Sequence, residues 1–75
     1  MSKANLLVRI PGQFIAAGSR DLPDAATAAD EYQHAIVEVP GIGKVRLTYK
    51  RFLDKRARSH YFFWTVEAAD LIADL

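Results

Sequence analysis

No cysteine occurs among the 75 residues, which excludes thiolate metal sites, thiol catalysis and a disulfide-stapled scaffold. Glycine and proline are sparse, with four and three residues, and the chain shows no repeat, linker or low-complexity stretch. No segment approaches the ~20 apolar residues that a membrane span needs. The opening run Leu6-Leu7-Val8 is interrupted at once by Arg9. It is also shorter than the apolar stretch of a signal peptide, so the expectation is a cytoplasmic protein used as translated. His34 and His60 are the only histidines, and neither has a partner at metal-ligand spacing beyond the weak candidate Glu38. Ser59 and His60 are adjacent, so on a strand they point to opposite faces and cannot form a nucleophile–base pair. Asp21, Asp24, Asp30 and Glu31 suit a helix cap, a first turn and a solvated surface better than a pair of catalytic carboxylates. No zinc-finger, RRM, KH or cold-shock signature is present. These absences predict a protein that is not an enzyme and takes neither metal nor cofactor.

What is present is a globular composition, 51% hydrophobic and 25% charged, on a chain too short to divide into two cores. A single domain over 1–75 is expected, with a small core. The formal net charge of +1 hides a segregation. Residues 1–43 carry Lys3, Arg9 and Arg20 against Asp21, Asp24, Asp30, Glu31 and Glu38. Residues 44–60 carry Lys44, Arg46, Lys50, Arg51, Lys55, Arg56 and Arg58 against Asp54 alone. Residues 61–75 carry only Glu67, Asp70 and Asp74. Such blocks imply a localised field.

Asn5–Ile10 is rich in β-formers and ends at the turn dipeptide Pro11-Gly12, and residues 13–17 can return as a second strand. Asp21-Leu22-Pro23-Asp24 has the signature of a helix start. Leu22, Ala25, Ala26, Ala29, Tyr32 and Ile36 lie near helical spacing, so a helix over about 21–34 is predicted. Residues 35–39 look extended, and Pro40-Gly41-Ile42-Gly43 is a turn. The same glycines followed by Lys44 invite comparison with a phosphate loop. That loop requires a helix after the glycines and Ser or Thr after the lysine, whereas here Val45 and a strand pattern follow.

Lys44–Lys50 alternates with period 2, with Val45, Leu47 and Tyr49 on one face and Lys44, Arg46, Thr48 and Lys50 on the other. Arg58–Val66 returns as an aromatic strand after a polar turn at 54–57. A four-residue turn sets Tyr49 opposite Phe62, Leu47 opposite Trp64 and Val45 opposite Val66. Thr65 as N-cap and the spacing of Ala68, Leu71, Ile72 and Leu75 predict a short terminal helix. The fold class expected is α+β: a twisted antiparallel sheet of about four strands, with the 21–34 helix packed on it and the terminal helix as a lid. A small SH3-like β-barrel is the alternative.

Function is sought in the basic, aromatic hairpin 44–66. Arg46, Lys50, Phe52, Tyr61 and Phe63 share one side, with Lys55, Arg56 and Arg58 at the tip. Two uses follow. As a protein-interaction or inhibitor module, the rings anchor a protein partner and the arginines form its rim. Small mobile-element proteins that block a host complex, anti-CRISPR proteins among them, are that class. As an accessory nucleic-acid binder, Arg46, Lys50, Lys55, Arg56 and Arg58 hold phosphates while Tyr61 or Phe63 stacks on bases. The protein-interaction use leads. A short chain this rich in aromatics can also bury a sheet face against its own copy, as a homodimer.

Overall fold

A computed structural model describes residues 3–56 and 61–74. The alternation around Lys44–Lys50 organises it. Val45, Leu47 and Tyr49 are fully buried, while Lys44 and Arg46 are exposed. The strand that contains them, β2 (Gly43–Asp54), is the middle of a three-stranded antiparallel sheet, between β1 (Tyr32–Val39) and β3 (Tyr61–Asp74). Two short helices, α1 (Lys3–Val8) and α2 (Gly12–Ser19), cover one face. α1 lies against β3, and α2 lies against β1 and β2. The chain is therefore a small α+β fold, and the core is the single layer between helices and sheet. Val39, Val45, Leu47, Tyr49 and Ala69 from the strands meet Ile10, with Leu6, Leu7, Phe14 and Ile15 packed around them. Each fully buried aliphatic or aromatic side chain contributes about 1.5–3 kcal/mol.

Between β1 and β2, the Ile42 amide donates to the Val39 carbonyl at 3.0 Å, and Gly41 sits at φ 81°. Proline followed by a positive-φ glycine makes a type II turn. This turn joins two strands, so Gly41 serves a hairpin and not a phosphate. It also settles the facing of β1: Val37 pairs with Val45 and Val39 with Gly43, which sends both valines to the core.

The elements outside this hairpin differ from the sequence expectation. Residues 5–10 and 13–17 were expected as strands, but they belong largely to α1 and α2. Pro11, which lacks an amide hydrogen, N-caps α2 in extended backbone, and Leu6, Leu7, Phe14 and Ile15 place apolar side chains of both short helices on the core. The helix expected over 21–34 is not formed. Asp24 caps a single turn, its carboxylate accepting the Ala26 amide at 3.0 Å and its carbonyl accepting those of Thr27 and Ala28. The Ala25 and Ala28 carbonyls, which a longer helix would have used, accept the Arg51 guanidinium at 3.3 and 2.6 Å. An alanine stripe buries too little to outweigh these bonds.

The expected terminal helix is also absent. Its residues extend β3 to Asp74, where their backbone groups satisfy the second edge of β2. Glu67 is a bulge residue, since Tyr49 pairs with Val66 and Thr48 with Ala68. The inward positions on β3 thus run Trp64, Val66 and then Ala69, which breaks strict alternation and mimics helical spacing. Among the described residues, three strands stand where about four were expected. With β1 and β3 unpaired to each other, the sheet is open and not an SH3-like barrel.

Candidate functional site

β2 outruns β1. Its residues 51–54 pair in the sheet with β3 alone, through Arg51↔Trp64, Phe52↔Phe63, Leu53↔Phe62 and Asp54↔Tyr61, while the Arg51 amide still donates to the Glu31 carbonyl at 2.8 Å. Twelve strand residues span roughly 40 Å, close to the 44 Å long axis of the molecule. The hairpin end is therefore a two-stranded ribbon beyond the three-stranded part. Its register is displaced by four residues from the one expected, because Asp54 lies in the strand and not in the turn. The displacement in this ribbon is even, so residues 49–54 and 61–66 keep their faces.

The inner face of the ribbon is occupied by the chain's own 21–31 segment. The Trp64 indole donates to the Pro23 carbonyl at 2.8 Å, Arg51 holds the Ala25 and Ala28 carbonyls, and its guanidinium lies 5.6 Å from the Phe62 ring centroid. Arg51 is thereby removed from the basic surface.

The outer face, opposite the helices, is uncovered. Phe52 (55% exposed), Phe63 (36%) and Tyr61 (52%) line up on it, with ring centroids 5.5 Å apart for Phe52–Phe63 and 5.9 Å for Tyr61–Phe63. Arg46 and Lys50 lie further along the same face. Lys50 Nζ stands 5.8 Å from the Tyr32 ring centroid, an aromatic of β1 that the sequence placed in a helix. Ile36 of β1 is 59% exposed beside Arg46, and it too was missed. The β-pairing of 32–39 with 43–50 was the signal that could have found both. His34 accepts or donates at Nδ1 to the Thr48 hydroxyl, 3.1 Å away across the same face.

Three of the cations stand beside carboxylates. Arg46 lies 3.7 Å from Asp70 on β3, and Lys50 lies 4.0 Å from Glu31. Arg56 is bound hardest. Asp54 accepts its backbone amide at 2.9 Å, its Nε at 3.2 Å and its terminal nitrogen at 3.1 Å, and Tyr61 is its cross-strand neighbour on β3. The Arg56 side chain is 91% exposed and Asp54 almost buried. The side-chain bond from Arg56, then its backbone bond, holds the Asp54 carboxyl below the usual carboxylate range, with Tyr61 adding to this against the cost of burial. The bond to Asp54, and then its negative charge, push the Tyr61 hydroxyl above its ordinary value.

Of the site residues expected from the sequence, Arg46, Lys50, Tyr61 and Phe63 share the outer face. Lys55 is exposed at the tip, and Arg56 is turned back onto Asp54. Arg58, with His60, lies outside the described residues. Phe52 completes the ring cluster. Among the described residues no pocket is present. Compared with known proteins, the chain matches no family, no curated protein and no solved structure.

Proposed function

We propose that the chain is a non-enzymatic binding module that engages a protein through the outer face of its sheet. The observation that carries this reading is the Phe52–Phe63–Tyr61 cluster, exposed on a face where Arg46 and Lys50 already stand beside carboxylates. Exposed aromatic clusters ringed by charge suit the anchors and rim of a protein interface. A phosphate-binding surface gains its affinity from cations that release counterions. Here Arg46, Lys50 and Arg56 would each have to leave or share Asp70, Glu31 or Asp54 to do so.

The alternative, an accessory nucleic-acid binder, rests on the same rings as stacking platforms and on Lys55 as a phosphate contact. A salt titration separates the two. With random single-stranded DNA and RNA, the protein-binding reading expects weak binding, with log K falling by about 1.4 or less per decade of salt, the response of roughly two phosphate contacts. A response of five contacts, about 3.5 per decade, that disappears in a Phe52→Ser/Phe63→Ser variant would replace it with the nucleic-acid reading.

A further inference from the structure

The outer face has two properties that bear on what covers it. The first is area. The chain exposes 5252 Å², whereas surface scaling gives about 4600 Å² for a folded monomer of 8.4 kDa. The excess, roughly 600 Å², approaches the ~800 Å² that each partner contributes to an interface of standard size. Among the described residues, the two helices cover one face of the sheet and no element covers the other. Apolar side chains stand along the length of the open side, with Phe52 and Phe63 towards the tip and Ile36 towards the Pro40–Gly43 turn.

The second property is charge. A two-fold interface sets a patch against itself, so an unbalanced patch repels its own copy. The hairpin alone is strongly basic. Folding brings carboxylates to it from other elements: Glu31 to Lys50, Glu38 opposite Lys44, and Asp70 to Arg46. With Asp54 beside Arg56, the five cations Lys44, Arg46, Lys50, Lys55 and Arg56 stand against four carboxylates, which leaves one positive charge over among these groups. Such a face meets a duplicate of itself with far less like-charge repulsion than a face kept basic for phosphates.

We infer that the partner of the outer face is a second copy of this chain, packed sheet to sheet in an isologous dimer with Phe52 and Phe63 of each copy buried at its centre. The inference rests on the protein-binding reading above. Packed antiparallel sheets of this kind meet about 10 Å apart, with side chains from both inner faces interleaved. The buried rings are the anchors, and the paired charges of Arg46–Asp70 and Lys50–Glu31 form a rim that contributes little affinity.

Sedimentation equilibrium of the full chain over a wide concentration range tests this. The wild type should pass from monomer to dimer mass. Phe52→Ser/Phe63→Ser should raise the dimer dissociation constant about 30-fold or more, as loss of anchor residues does. Val8→Ser, at an 82% exposed position on α1, should leave it unchanged. Circular dichroism confirms that each variant is folded, and Ile36→Lys provides an independent substitution on the same face with the same expected weakening. A wild type that is monomeric at every concentration overturns the inference, as does a dimer that Val8→Ser weakens and the outer-face variants do not. Neither result touches the protein-binding reading, which falls only to the steep salt response described above.

Discussion

Gly18 is where α2 comes closest to the sheet. A Cβ there would stand 2.6 Å from the Tyr49 hydroxyl and 3.3 Å from the Ala35 side chain. Tyr49 cannot yield easily, because it is 1% exposed and its hydroxyl donates to the Ile15 carbonyl at 2.5 Å. Gly18→Ala should therefore destabilise by about 1–3 kcal/mol, as overpacking does. Gly12→Ala, with nothing within 4 Å of the added carbon, should be neutral or slightly stabilising. Thermal unfolding of the two variants checks the contrast, and equal midpoints would contradict the close packing of α2. At the hairpin tip, the Tyr61–Asp54–Arg56 contact sets a pH window. Asp54 is lowered, so its contribution is complete above about pH 4 and is lost as pH falls through its folded value. Tyr61 is raised, so its contribution is complete below about pH 10 and is lost as pH rises through its folded value. Asp54→Asn should bring the Tyr61 titration, followed by phenolate absorbance, back down towards the ordinary value. An unchanged titration would mean that the two groups do not meet.

Among the elements, the 21–31 segment owes its path to other parts of the chain. Asp24 and the backbone bonds of Asp21 and Leu22 to the end of α2 organise it locally; the Arg51 side chain and Trp64, from β2 and β3, hold its Pro23, Ala25 and Ala28 carbonyls. Arg51→Ala should leave the strands intact while freeing this segment, so limited proteolysis should cut near Asp24–Glu31 much faster than in the wild type. Unaltered cleavage would show that Arg51 does not fasten it. The same dependence explains why the segment was illegible in the sequence: Pro23, the alanines and Asp21 satisfy every local rule for a helix, and the bonds that override them come from residues 51 and 64. By contrast, β2 was legible because Val45, Leu47 and Tyr49 alternate without interruption, and the Pro40–Gly43 turn because its chemistry is local. β3 was legible only up to Val66. The bulge at Glu67 changes the spacing of the inward residues, and only the pairing with β2 reveals it. The faces of Tyr61 and Phe63 survived a wrong turn length because the error was even.

For the whole molecule, the segregated charge read from the sequence is real along the chain and partly offset in space. Glu31 and Asp70, distant in sequence from the basic block, are brought to its cations by β-pairing and by the turn before β1. The exposed rings are what remains distinctive, on a sheet that helices cover on one side only. Hydroxyl-radical footprinting as a function of protein concentration measures this directly. Phe52, Tyr61 and Phe63 should be modified rapidly in dilute protein and become protected as concentration rises, while Tyr49 stays protected throughout. Rings at 52, 61 and 63 that are as shielded as Tyr49 in dilute protein would contradict the open outer face on which the functional reading stands.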